Sequence, residues 1–156
     1  MLFTGEYEHT IDAKQRMAIP AEVRTRLESS DHTNAFYLAP GPNGVLWLWP
    51  EKTFEQMASA SRSSLLPGDE MMEFEELLYS QSRRLEMDGA GRVRLPERML
   101  REAALGSAVV VLGVRDHLEL RDAAAWQRRR QDTIARQGEI MLRARRALEE
   151  QQRSTS

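Results

Sequence analysis

An α+β architecture, assembled by tandem duplication of a β-β-α-β-β-α unit, follows from three features of the sequence. Glu8–Pro20 aligns with Arg84–Pro96 at a constant offset of 76 positions, with Asp12/Asp88, Arg16/Arg92 and Pro20/Pro96 identical. Around each aspartate, apolar and polar residues alternate with the period of a half-buried strand. After each proline, helical spacing gives way to two apolar runs separated by turn residues, so both copies share their sequel as well as their motif.

The first strand carries Tyr7, His9 and Ile11 on one face and Glu6, Glu8 and Thr10 on the other. Asp12 then opens a turn, because its carboxylate can accept backbone N–H groups two residues on. The second copy turns through Asp88-Gly89-Ala90-Gly91, where glycine can take positive φ. The first turns through Asp12-Ala13-Lys14-Gln15, which has no glycine, and is expected to be the more strained. The returning strands point Met17 and Ile19, or Val93 and Leu95, inward. Arg16 and Ala18, or Arg92 and Arg94, point outward. Pro20 and Pro96 are expected at the first position of a helix, followed by acidic Glu22 or Glu97. Val23 and Leu27 form the apolar face of the first such helix; Met99, Leu100 and Ala103 form that of the second, which Gly106 is placed to end.

Next come hairpins: Phe36–Ala39 and Val45–Trp49 around Pro40–Gly44, and Ala108–Leu112 and His117–Leu120 around a shorter loop. Helices follow from Pro50-Glu51 and from Asp122-Ala123. Between the copies, residues 50–80 carry one or two helices broken near Leu66–Asp69. The tail reads as one long helix from Ala123 to about Leu148, with residues 149–156 frayed.

Composition bounds the function. The 156 residues are 41% hydrophobic and 29% charged, enough for one ordinary domain or two small ones. There is no cysteine, so disulfides, thiolate nucleophiles and iron–sulfur clusters are excluded. Seven residues, Ala108–Val114, make the longest apolar run, too short to span a bilayer, and Met1–Glu6 has no signal-peptide character. A cytoplasmic protein without membrane association is expected. The net charge of −2 argues against simple coating of nucleic acid, so any such role must come from local basic faces.

The turn arginines are those faces. Arg16, with Lys14, Arg24 and Arg26, makes one patch; Arg92, with Arg94, Arg98 and Arg101, makes another. A guanidinium fork suits a phosphate or a guanine edge, and a two-stranded ribbon fits the major groove. The same Asp–Arg pairs can equally be salt bridges that pin a turn, and on residue types alone that reading outweighs the other. Asp69–Glu76 holds five carboxylates and reads as a solvated helix face, with Met72, Leu77 and Tyr79 packing inward. Trp47 and Trp49 alternate with Leu46 and Leu48, which favours core or subunit interface over base stacking. The arginines of the tail read as a solvated face ahead of a DNA-backbone arm. No catalytic signature is present, and His9, His32 and His117 lie in no motif.

Phe3–Arg16 with Ile19-Pro20-Ala21, and Tyr79–Arg84 with Asp88–Arg92 and Leu95-Pro96, resemble the two halves of the MraZ family of bacterial transcriptional regulators. The resemblance covers roughly residues 1–126 and departs at Gln15, where the family's first motif usually has glycine. It implies two SpoVT/AbrB-like swapped-hairpin modules, over 5–54 and 81–125, that form a pseudo-symmetric small β-barrel flanked by helices. Linking helices are then expected over 55–80, and a C-terminal helix with a frayed tail over 126–156. It further implies a nucleoid-associated ring homo-oligomer binding double-stranded promoter DNA with direct repeats, at the division and cell-wall gene cluster that includes its own gene. The DNA-binding residues it implies are Asp12, Lys14, Arg16, Asp88, Arg92 and Arg94. No cofactor, metal or small-molecule substrate is expected.

Overall fold

In the computed structural model, which describes residues 1–61 and 64–156, the duplicated segments do not fold side by side; they exchange strands. The first copy supplies β1 (Glu6–Thr10), β2 (Arg16–Ala18), α1 (Ala21–Ser29), β3 (Ala35–Pro40) and β4 (Leu46–Pro50). Helices α2 (Glu51–Ala60) and α3 (Asp69–Gln81) follow. The second copy supplies β5 (Arg83–Glu86), β6 (Arg92–Arg94), α4 (Glu97–Glu102), β7 (Ala108–Val114) and β8 (His117–Asp122). The chain ends with α5 (Ala123–Ala135) and α6 (Gln137–Ser154). It forms two compact units, Met1–Ala123 and Ala124–Ser156. Positions 62 and 63 of the expected 55–80 linker lie outside the described residues.

Six strands make an antiparallel sheet in the order β1-β7-β8-β4-β3-β5, which reads the same from either end once the copies are exchanged. Tyr7 of β1 pairs with Val111 of β7, and the equivalent Arg83 of β5 pairs with Leu38 of β3. Beyond their turns, then, β1 and β2 part. Strand β1 joins the second copy's hairpin, and β2 pairs antiparallel with β6 in a separate two-stranded ribbon. This is the swapped, pseudo-symmetric α+β arrangement expected from the sequence.

The strand alternation dictates the core. Met17, Ile19, Val93 and Leu95 from the ribbon are buried together with Leu38, Leu48, Val111 and Leu118 from the sheet. Ribbon and sheet thus enclose one apolar interior, which α1 and α4 close with Val23, Leu27 and Met99. At about 25 cal/mol per Å² of apolar surface removed from water, this burial supplies the main drive for folding. Leu46 and Leu48 face this interior, whereas Trp49 joins Ala39 and Phe54 in a second cluster on the sheet's other face.

Several local expectations need correction. Pro20 and Pro96 cap α1 and α4 instead of occupying their first turn, with ψ of 137° and 129°: each is the last extended residue before the helix. Gly106 does not end α4. Ala104 does, at φ 52°, with its N–H on the Arg101 carbonyl and the Leu105 N–H on the Leu100 carbonyl. That is a Schellman closure on a non-glycine residue. Asp31 (φ 55°) ends α1 likewise, with His32 N–H on the Leu27 carbonyl. The tail is two helices, broken at Arg136 (φ −106°, ψ 18°), two residues before the poor helix former Gly138. Helix α6 runs to Ser154, past the end expected near Leu148. Finally, Met72 and Leu77 are exposed and do not pack inward, whereas Tyr79, though partly exposed, sets its ring edge-on to Phe54 of the second cluster at 6.2 Å, beside Leu78.

Candidate nucleic-acid interface

Each copy's turn is built on its aspartate. Asp12 Oδ1 accepts the backbone N–H of Lys14 and of Arg16, both at 2.9 Å, and its Oδ2 accepts Arg16 Nε at 2.8 Å. Asp88 repeats the pattern: Oδ1 takes the N–H of Ala90 (2.9 Å) and Arg92 (3.0 Å), and Oδ2 takes Arg92 Nε (3.0 Å). Backbone bonds Asp12 N–H to Arg16 O and Asp88 N–H to Arg92 O close both turns. Hydrogen bonds from the arginine's own backbone N–H are the foremost reason both carboxyls sit below the usual range; the guanidinium reinforces this.

The turn demands a left-handed residue just before the arginine. Gly91 supplies it at φ 74°, and Gln15 is held there at φ 65°, so the glycine-free turn carries the strain expected of it. The two turns are also stitched to each other. The Leu95 N–H donates to the Gln15 carbonyl at 2.8 Å, and the Ile19 N–H donates to the Gly91 carbonyl at 2.9 Å.

The register then brings the two basic patches together. Arg16 lies opposite Arg94, and Ala18 opposite Arg92, on adjacent strands of one ribbon. Arg24 needs reassignment: it reaches across to the second copy's turn, where its Cδ lies 2.6 Å from the place a Cβ on Gly91 would occupy. Its Nε donates to the Ile19 carbonyl at 3.2 Å. Sequence reasoning places Arg24 beside Arg16; the missing Cβ at position 91 is the signal that points elsewhere.

Lys14 and Arg94 are exposed, and Arg16 and Arg92 are about one-third so. Each turn guanidinium is anchored through Nε alone among the described residues, so its outer nitrogens remain open to an acceptor. The head carries Lys14, Arg16, Arg24, Arg92 and Arg94 against Asp12 and Asp88, a local positive excess on a chain of net charge −2. Arg98 is tied to Glu102 at 2.9 Å on α4.

Other groups of chemical interest lie elsewhere. His117 is buried, stacked on Trp47 at 4.4 Å and tilted against Trp49 at 4.5 Å in a three-ring cluster, with Nδ1 on Asp116 (3.0 Å) and Nε2 on Glu119 (3.3 Å). Both tryptophans are thereby occupied by protein. Among the described residues no group of His, Asp or Glu is arranged to hold a metal ion, and no helix is long and apolar enough to cross a membrane.

Exchanged strands, a duplicated Asp-turn-Arg device and one composite ribbon define a tandem swapped-hairpin protein. The family model described as "MraZ protein, putative antitoxin-like" matches residues 2–73 and 78–148. A protein of Mycoplasmoides gallisepticum named transcriptional regulator MraZ is 32% identical over 126 residues, covering 81% of this chain and 85% of its own. Those of Roseiflexus castenholzii (31%, with the same coverage) and Lactiplantibacillus plantarum (30% over 134 residues, 86% and 92%) carry the same name. The chain belongs to the MraZ family.

Proposed function

We propose that this chain regulates transcription, as a repressor, by sequence-specific binding of double-stranded DNA through the β2–β6 head. Asp12, Lys14, Arg16, Asp88, Arg92 and Arg94 are the DNA-binding residues. The two aspartates aim the arginines, and the cations meet phosphates and base edges. One observation carries this reading: exchange of strands puts both Asp-turn-Arg devices on a single ribbon, each guanidinium locked at Nε and open at its outer nitrogens. A two-stranded ribbon is narrow enough for the major groove.

The modules in this reading are residues 5–54 and 81–125, with the linker and the C-terminal segment outside them. The proposed site of action is the promoter of the division and cell-wall gene cluster containing the protein's own gene. One small head on an acidic chain binds weakly, so the reading includes a ring of subunits that engages several direct repeats through effective concentration.

Gel shifts on promoter fragments bearing one to four boxes test this. Affinity should rise steeply with box number, and should fall as salt rises with a log–log slope of about −0.9 per phosphate contacted. Equal affinity across the series would refute the multivalent reading. Arg16→Ala with Arg92→Ala should abolish binding while leaving assembly intact; normal binding by that variant would refute the site.

A second reading, an oligomeric scaffold without specific DNA binding, is favoured by one fact: each arginine already has a partner within its own turn. It requires the double variant to lose folding or assembly, and the wild type to ignore promoter sequence.

A further inference from the structure

We propose that the cavity beside the last turn of α3 binds a small molecule made of one aromatic ring and a hydrogen-bond-donating substituent, with benzylamine as its simplest form. The site does not depend on the DNA reading above.

The cavity lies within the first unit, between α3, the β3–β4 loop and α4. It measures about 220 Å³, and Val45, Leu46, Leu77, Met99 and Ala103 give it apolar walls. An apolar cavity of about 150 Å³ is enough to take up benzene.

The first copy shows what such a hollow holds. Tyr7–Val111 and Arg83–Leu38 are equivalent pairs, so Gly113 corresponds to Pro40. Leu38–Leu48 and Val111–Leu120 are equivalent as well, so Leu118 corresponds to Leu46. By the offset of the turns, Val23 and Leu27 correspond to Met99 and Ala103, and Phe3 to Tyr79. Phe3 is 1% exposed and packs in the cluster that contains Val23, Leu27 and Leu118. An aromatic ring thus fills the first copy's version of the cavity.

Backbone chemistry explains why Tyr79 does not do the same. In the first copy the Phe3 N–H and carbonyl bond to Arg115 at 2.7 and 3.0 Å, and the Gly113 N–H donates to the Gly5 carbonyl at 2.9 Å. Gly113 also leaves room: a Cβ there would lie 2.6 Å from the Thr4 backbone. Pro40, at the corresponding place, has no N–H to donate to Gln81 and carries the Cβ that such a path excludes. Residues 79–81 therefore stay in α3, and the Tyr79 ring turns to Phe54.

The polar side chains of the lining, Gln81 and Glu102, define the substituent. Glu102 Oε1 accepts Arg98 Nε at 2.9 Å, and Gln81 Nε2 donates to Ser80 Oγ at 3.2 Å. Among the described residues, Glu102 Oε2 and Gln81 Oε1 accept no hydrogen bond. Two open acceptors, one of them anionic, favour an amine over a hydroxyl and repel a carboxylate.

Ligand-observed saturation-transfer NMR on the full chain, with benzylamine, benzyl alcohol and benzoate as probes, tests this. The wild type should bind benzylamine with a Kd on the order of millimolar, benzyl alcohol up to about fivefold more weakly, and benzoate most weakly. Ala103→Phe sets a ring in the cavity and should remove binding of all three, with circular dichroism and the light-scattering mass unchanged. Glu102→Arg should invert the order in favour of benzoate, and this variant decides the matter alone where Ala103→Phe does not fold. No binding of any probe by the wild type would overturn the site. Full binding by Ala103→Phe, or an order unchanged in Glu102→Arg, would place the probes elsewhere and overturn it too. A lower mass for Ala103→Phe would give the cavity to a side chain of a second copy instead of a small molecule. Failure of promoter binding would leave the site standing.

Discussion

Gly91 and Gln15 occupy equivalent positions in the two turns, and exchanging their characters should move stability in opposite directions. Gly91→Ala forces a Cβ into the left-handed region, at about 1–2 kcal/mol. The new atom would lie 2.6 Å from Arg24 Cδ and Nη1. Arg24 is flexible at that end and can swing away, but doing so gives up its 3.2 Å bond to the Ile19 carbonyl, about 1 kcal/mol. Lower entropy of the unfolded alanine chain returns about 0.5–1 kcal/mol. The net cost is about 1–2.5 kcal/mol. Gln15→Gly relieves the same backbone strain and forfeits the same entropy, for a net gain of up to about 1.5 kcal/mol. With a urea m-value of about 2 kcal/mol/M, the midpoints should shift down by about 0.5–1.2 M and up by as much as about 0.7 M. Urea unfolding of all three proteins at one matched concentration reads both. Midpoints that move in the same direction, or a Gly91→Ala protein indistinguishable from wild type, would refute the account of the turns.

Met17→Ala removes a fully buried side chain at the centre of the ribbon, opposite Val93, and should cost about 2–4 kcal/mol in urea unfolding; less than about 1 kcal/mol would mean the ribbon is not part of the cooperative core. Asp12→Asn with Asp88→Asn should destabilise the protein at about pH 7. Both carboxyls are held below the usual range in the folded state, so their contribution is full above the ordinary aspartate pKa of 3.8 and drains away as pH falls through the folded values. The gap between variant and wild type should therefore close on acidification to about pH 2, and a gap that persists would show that the carboxylate charge is not what matters.

Much of the fold is legible in the sequence because its elements are short and strictly periodic. Period-2 alternation alone assigns Met17, Ile19, Val93 and Leu95 inward, and all are buried. The strain at Gln15 is legible from a missing glycine. What fails is long-range or unpatterned. Nothing in Ala103–Gly106 indicates that the left-handed residue is Ala104, since local propensity favours the glycine; closure is set by where β7 must begin. Inward packing of Met72, Leu77 and Tyr79 follows from residue type; α3 instead leaves Met72 and Leu77 exposed and meets the second cluster through Leu78 and the edge of the Tyr79 ring. The candidate site reads as two patches because sequence alone does not pair β2 with β6; the register between Arg16 and Arg94 is a tertiary fact.

That register explains why the duplication sits within one chain. Strands of three residues have no stability of their own, and β2 has only β6 as a ladder partner among the described residues. Each turn's left-handed carbonyl is satisfied by the other copy's backbone, so neither Asp-turn-Arg device is complete until both copies have folded together. Covalent linkage makes that pairing intramolecular and independent of concentration. It also frees the two turns to diverge. Lys14-Gln15 stands where Ala90-Gly91 does in the partner copy, and Arg24 covers only the second turn. The head is therefore symmetric in backbone and asymmetric in charge, with one extra cation at the tip of the first turn and a packed guanidinium over the second. A homodimer of single modules would present two identical tips and suit a palindrome; a head with unlike tips has a direction, which is the property a ligand made of direct repeats would require.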